Sequence, residues 1–324
     1  MFRRPSLHTA AAVTAVAAIT ALGLSACSDP NATSNTGSTA SAGASASSTS
    51  NVTTTWGLKP VDSVTALVPA DFKDKTIQNA IYNDFPPEEF QENGQLVGIQ
   101  PDITLALSEV MGVKVNNASV GTFDSIIPGI SSGRYDMASA DFGVTKARLN
   151  QVDFVSEFAI GTGFATKSGS NITINSASDL CGHSIGVVAG SYFIDQVNQT
   201  SADCTKAGKA ALSVQTYPDD GARILAITNG RTEITATSAD AMAYIIKSQN
   251  VPLTLQKFVY EPLEQGIALK NGSSLGPALQ AAMKEIINDG TYGKILKKWG
   301  VDTIGYTSAD QAKLYTDPSQ LPNG

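Results

Sequence analysis

Between residues 76 and 300 the chain alternates short β-rich runs with apolar stripes of helical period, and this alternation limits the fold more than any other feature of the sequence. Thr76–Tyr82 reads as a first strand, followed by a proline-directed turn from Asn83 to Gln95 that carries Phe85, Pro86, Pro87 and Phe90. Asn93-Gly94 predicts a tight hairpin turn before Leu96–Ile99, since both residues tolerate positive φ. Asp102 is placed to cap a helix whose apolar face is Ile103, Ala106, Leu107 and Val110, and Val113 opens the next strand. Phe123, Ile126, Ile127 and Ile130 predict a helix over 122–132 that stops at Gly133, before a strand over Tyr135–Ala140. After a break at Ser168–Asn171 the pattern restarts. A brief helix at 178–180 is followed by a strand over Ser184–Val188, a helix from Ser191 to Val197 and a strand over Val214–Thr216. A helix over 219–229, a strand over Ile234–Thr237 and a helix over Ala239–Lys247 continue it. Gln265–Lys270 reads as a strand of the return crossing, and two amphipathic helices follow, the second using Tyr292, Ile295, Leu296 and Trp299. Such an order predicts an α/β chain of mostly parallel, helix-covered sheets, with the restart marking a second lobe.

The N-terminus predicts export. Arg3 and Arg4 precede a small, apolar run from Thr9 to Gly23 that is too short to be read as a membrane span. Leu24-Ser25-Ala26-Cys27 closes it in the pattern of a bacterial lipobox, which implies cleavage after residue 26 and diacylglycerol on the sulfur of Cys27. The segment that follows is rich in Ser, Thr, Ala, Gly and Asn, so 27–74 is expected to hold the lipidated cysteine and a flexible tether. Loss of Arg3 and Arg4 takes the formal net charge from -7 to -9, and with no basic block nucleic acid is excluded as a partner. Cys181 and Cys204 then form an even pair in an oxidising compartment, and a disulfide between them is the simplest assignment. A metal or redox pair fits less well, because His183 is the only histidine left after cleavage.

Gly133–Phe154 is the stretch the rest of the chain is expected to hold, and Arg148 within it is of the type that clamps a carboxylate with two parallel bonds. A salt bridge from Arg148 to Asp153 or Glu157 is the alternative. Ala189-Gly190-Ser191, between a strand and a helix, lets the backbone approach a ligand and turns free amides toward an anion, although a plain strand-to-helix turn reads the same way. No HExxH, phosphate loop, nucleophile elbow or histidine cluster is found, so no catalytic residue, metal or cofactor is assigned.

Residues 75–300 resemble the bacterial extracellular solute-binding proteins of family 3, which serve ABC importers for polar amino acids. The resemblance rests on Asn93-Gly94-Gln95-Leu96-Val97-Gly98 with Asp102, Phe123 to Asp136 ending in Gly133-Arg134-Tyr135-Asp136, Thr145 with Arg148, and Val152-Asp153-Phe154. It is completed by Asp289-Gly290-Thr291-Tyr292-Gly293-Lys294-Ile295-Leu296, running to Trp299-Gly300. It implies a two-lobed periplasmic-binding-protein-like clamp with two crossover strands at the hinge, near Thr166 and near Tyr260. Lobe one is expected over 75–165 and 261–300, lobe two over 166–260, and a C-terminal tail over 301–324 draped on a lobe.

The same resemblance puts Arg148 at the carboxylate clamp, Phe85 against the solute body, Tyr82 on the same mouth, and Gly190 with Ser191 on the turn that completes the carboxylate site. Gly143 stands where relatives often carry a hydroxyl, and Asp141 just ahead of it where they more often carry a small residue. Ser238 occupies the position that normally receives an α-ammonium with an acid, which leaves Asp141 or Asp240 to take that part. The implied function is a monomeric receptor, anchored outside the cytoplasm by lipid on Cys27. It captures a small carboxylated, amino-acid-like solute for a membrane permease and its ATPase subunits. A lyase on the same clamp, using Glu233, Asp240 or His183, and a structural or signalling lipoprotein are the alternatives.

Overall fold

The computed structural model describes residues 53–260 and 262–322. The export signal, Cys27, most of the expected tether and Glu261 lie outside the described residues. Among the described residues no helix is long and apolar enough to cross a membrane.

Two sheets organise the molecule, one in each lobe of the clamp. In lobe one six strands stand side by side in the order Leu314–Tyr315, Val152–Ile160, Leu263–Lys270, Met137–Gly143, Thr76–Tyr82 and Lys114–Val120. Thr76–Tyr82 runs parallel to both neighbours, while Leu263–Lys270 is antiparallel to both of its own. The helices Ile99–Met111, Gly276–Asn288 and Thr291–Trp299 bury their apolar stripes on one face of this sheet, and Phe142, Phe154 and Ile126 fill the other. In lobe two the order is Ser213–Tyr217, Ser184–Val188, Ile234–Ser238, Thr162–Lys167 and Leu253–Val259. Its core gathers Phe164, Ile185, Val187, Val197 and Ile234.

The first crossing between lobes falls at Gly161 rather than near Thr166, because Thr162–Lys167 pairs entirely within the second sheet. Residues 162–165 therefore belong to lobe two. The second crossing lies beside Tyr260, between Leu253–Val259 and Leu263–Lys270. The two crossings touch: a Cβ at Gly161 would meet Val259 Cγ1 at 2.5 Å and the Tyr260 carbonyl oxygen at 2.6 Å.

Four further expectations change. The tether stops short of residue 74: Trp56 and Leu58 pack on lobe one, and their N–H groups donate to the Glu109 carboxylate at 3.0 and 2.8 Å. Val64 and Val68 are buried beyond them. Asp102 is not a helix cap, since the helix begins at Ile99 behind Gly98; it is buried and accepts from Trp299 Nε1 at 2.8 Å and Lys298 Nζ at 2.7 Å, tying two lobe-one helices together. The tail is part of lobe one, for Leu314–Tyr315 adds an antiparallel strand to Val152–Ile160 and Tyr306 is buried. The run from Asn83 to Gln95 is a small sheet rather than a turn alone. Asp84–Phe85, Glu89–Glu92 and Gln95–Val97 pair antiparallel, with Asn93 (φ 52°) and Gly94 (φ 77°) at the tight turn between the last two. In lobe two a disulfide joins Cys181 to Cys204 across 23 positions.

Candidate functional site

The lobes close on a narrow cavity of about 30 Å³. Tyr82, Phe85 and Asp141 line it from lobe one, and Ser191, Asp220 and Thr237 from lobe two. That volume is on the order of one or two water positions, so an amino-acid-sized molecule enters only when the lobes part. A second cavity of about 290 Å³ adjoins Arg148, between Phe123, Thr145, Gly190 and Tyr192.

Arg148 sits on the short helix Lys146–Leu149, whose N-cap Thr145 accepts from the Arg148 backbone N–H at 3.2 Å. The guanidinium is buried, lying 5.2 Å from the Phe142 ring centre and 5.6 Å from that of Phe123. Its two terminal nitrogens bridge the lobes: Nη1 donates to the Gly143 carbonyl and Nη2 to the Gly190 carbonyl, each at 2.9 Å. Burial lowers its pKa to about 10, which leaves it charged at neutral pH. The alternative salt bridge is not formed. Asp153 accepts from the Gly272 N–H at 2.8 Å, and Glu157 from Gln100 Nε2 at 2.7 Å.

Both carbonyl partners depend on close approach. Gly190 has φ +76°, and a Cβ there would stand 2.7 Å from Asp124 Cβ across the lobe interface. At Gly143 a Cβ would strike the Tyr192 ring at 2.5 Å. Gly143 and Gly190 thus contribute backbone only. Ser191 turns its hydroxyl away, donating to the Val188 carbonyl at 2.6 Å. The Tyr82 hydroxyl accepts from the Asp220 backbone N–H at 3.3 Å, and its ring meets that of Phe123 edge-on at 5.7 Å.

The acids distribute differently from the expectation. Asp141 reaches the cavity from a left-handed backbone position (φ 47°), and its Oδ1 has no hydrogen-bond partner among the described residues. Burial, then the charges of Asp240 and Glu157, push its carboxyl well above the usual range, opposed by Arg148. Ser238 is fully buried with its Oγ unpartnered among the described residues. Asp240 lines neither cavity beside Arg148. It opens on a separate groove of about 600 Å³ with Tyr244, Lys247, Lys297 and Trp299.

Sequence reasoning passed over Glu88 and Glu89. Each is fully buried, and none of their four carboxylate oxygens has a hydrogen-bond partner among the described residues. Two adjacent acids after two prolines read as a solvated loop, and only the pairing of Glu89–Glu92 with its neighbours turns them inward. Tyr192 and Phe123, which flank the guanidinium, gave no signal beyond apolar periodicity.

A family profile described as bacterial extracellular solute-binding proteins, family 3, matches residues 77–302. The chain is 26% identical over 246 residues to the arginine-binding protein ArgT of Corynebacterium glutamicum, covering 75% of this chain and 80% of that protein. It is 26% identical over 218 residues to the L-cystine-binding protein TcyJ of Escherichia coli (strain K12), covering 66% and 79%. A solved structure of an ancestral arginine-binding protein bound to arginine is similar with a TM-score of 0.64 and 31% identity, over 70% of this chain and 99% of that one.

Proposed function

Since this chain belongs to the bacterial extracellular solute-binding proteins of family 3, we propose that it is the receptor of an ABC importer. It captures a small carboxylated solute, an amino acid or a derivative of one, and hands it to a membrane permease driven by separate ATPase subunits. The observation that carries this reading is Arg148: a buried, charged guanidinium at the lobe interface whose two terminal nitrogens hydrogen-bond, among the described residues, to the neutral Gly143 and Gly190 carbonyls. When the lobes part, the bond to Gly190 is lost and Nη2 is free to take a carboxylate oxygen. A carboxylate at the fork gains charge-assisted bonds that a carbonyl cannot match. Phe85 and Tyr82 pack on the solute body, and Asp141, facing the same cavity, takes the α-ammonium that Ser238 cannot. Named relatives are arginine- and cystine-binding proteins, in keeping with a ligand of this class.

The chemistry of the chain ends at binding, and a monomer held outside the cytoplasm by lipid on Cys27 suffices for it. Native mass spectrometry of protein purified from its own host tests the reading. The predicted result is a retained carboxylated solute released unchanged; a converted product would favour a lyase, and a solute without an acid group would remove the clamp.

A further inference from the structure

Glu88 and Asp240 meet across the lobe interface, one carboxyl within hydrogen-bonding reach of the other. Glu88 stands in lobe one between the strands Asp84–Phe85 and Glu89–Glu92, and Asp240 in the first turn of the lobe-two helix Ala239–Ser248. The backbone at Glu88 is pinned. Its carbonyl accepts from the Gln100 N–H at 2.8 Å, and Gly98 approaches so closely that a Cβ there would lie 2.3 Å from the Glu88 carbonyl oxygen. The side chain is fully buried, and neither of its oxygens, nor Asp240 Oδ2, has a hydrogen-bond partner among the described residues.

Ser238 adds a neutral group to the same place. Its Oγ is fully buried, unpartnered among the described residues, and within reach of Asp240. The carboxyl groups that bear on Glu88 are Asp240, Asp141 and Glu89, with the Tyr244 hydroxyl also near it, and Asp240 shares its groove with Lys247, Lys297 and Lys298. Burial and the neighbouring acids raise the Glu88 carboxyl well above the usual range. Asp240 is within reach of its own and the Ala241 backbone N–H groups and of the Ser238 hydroxyl, but Glu88 has no donor among the described residues, so the contact between the two carboxyls requires a proton or a cation. Among the described residues no three His, Cys, Asp or Glu side chains are gathered as a metal site would need.

We propose that Glu88 and Asp240 together form a second cation-binding site, so that the solute carries two positive nitrogen centres: an α-ammonium held at Asp141 and an ammonium or guanidinium on its side chain held between Glu88 and Asp240. This rests on the carboxylate-clamp reading above and narrows it to dibasic amino acids. Glu88 is the specificity-determining residue, because closing the lobes on a neutral side chain leaves the acid pair buried without compensation. Glu88 lies on lobe one and Asp240 on lobe two, so the second cation also fastens the closed state.

Titration calorimetry with L-arginine, L-lysine, L-citrulline and L-glutamine tests the proposal, citrulline having nearly the shape of arginine without its charge. Wild type is expected to prefer arginine over citrulline by about 100-fold, the scale of leaving a buried charge unpaired. Glu88→Gln should cut that preference at least about tenfold while the affinity for citrulline holds or rises. Should Glu88→Gln fold poorly, Asp240→Asn reads the same ratio, which does not depend on the fraction of active protein. Equal affinity for arginine and citrulline in wild type, or binding of glutamine alone, overturns the second cation site and leaves the carboxylate clamp standing. Equal affinities that strengthen together as pH falls would assign the pair to a shared proton instead, which also overturns the proposal. Binding of none of the four would count against the amino-acid reading itself.

Discussion

Asp84 Oδ2 on lobe one accepts a hydrogen bond from the Gly221 backbone N–H on lobe two at 2.8 Å, placing a carboxylate over the first turn of the helix Asp220–Thr228. The Gly221 amide and the helix dipole favour a negative charge at that point, but burial outweighs them and, with the Asp220 and Asp219 carboxylates, raises the Asp84 carboxyl above its usual range. The neighbouring Tyr82 hydroxyl accepts from the Asp220 N–H, so two lobe-one side chains engage one lobe-two helix start. These bonds join opposite lobes and exist only when the clamp is shut.

Replacing Asp84 by Ala removes the acceptor of that contact and leaves the Gly221 N–H without its partner in the shut clamp. Closure is then less favourable for every solute, and affinity should fall by about three- to tenfold with no change in preference. Calorimetry with two chemically different solutes checks this. A loss confined to one of them would make Asp84 a ligand contact rather than a latch.

Glu157 governs a pH dependence. It is fully buried, and burial pushes its carboxyl up to about 8, opposed by the hydrogen bond from Gln100. Its ordinary value is 4.5, so between that pH and about 8 the folded protein holds a proton that the unfolded chain has released. Stability is therefore highest below the lower value and falls as pH rises through the upper one, by on the order of a few kcal/mol. Thermal unfolding of the solute-free protein at a series of pH values should show that decline, and Glu157→Gln should reduce its slope, the remainder coming from Glu88, Glu89 and Asp141, whose carboxyls burial also raises. An unchanged slope in the variant would assign the decline to other acids.

The Cys181–Cys204 bond closes a loop of 23 positions in lobe two, away from Arg148 and Asp141. The loop-entropy estimate for such a span is about 3 kcal/mol. Replacing both cysteines by Ser should lower the midpoint of chemical denaturation while the Kd for solute stays within about twofold. A large change in Kd at unchanged stability would tie the bridge to binding.

Much of this architecture was legible in the sequence where local chemistry and tertiary packing agree. The stripe Leu275, Leu279, Ala282, Met283 and Ile286 is buried as its period predicts, and Gly230 at φ +75° ends the helix before it. The strand Leu253–Val259 was not legible, because Gln256 and Lys257 interrupt any alternation and the strand pairs only along the second sheet. Arg148 was legible through the spacing of a family motif. Glu88 and Glu89 were not, since no local rule places two adjacent carboxylates inside; their burial follows from a hairpin and from the approach of the opposite lobe. The crossing near Thr166 is what the resemblance implies, and strand pairing moves it to Gly161, since Val152–Ile160 pairs in the first sheet and Thr162–Lys167 in the second.

The proposed anchorage rests on Cys27, which lies outside the described residues. With lipid on its sulfur the protein should label with radioactive palmitate and sediment with membranes, and Cys27→Ala should abolish labelling and release the protein or leave an uncleaved precursor. Labelling that survives the substitution would remove the lipobox assignment.

The central claim is that Arg148 holds a solute carboxylate between the lobes. The direct measurement is calorimetric titration of the solute retained by the native protein, beside its methyl ester, into wild type and Arg148→Lys. In wild type the ester should bind weaker by roughly 2 to 5 kcal/mol, the range for removing one partner of a buried charged pair. In Arg148→Lys, where the planar fork is gone, the free acid should lose most of that advantage and the ester should change little. An acid-over-ester preference of equal size in both proteins would contradict the account, because the carboxylate would then be held somewhere other than Arg148.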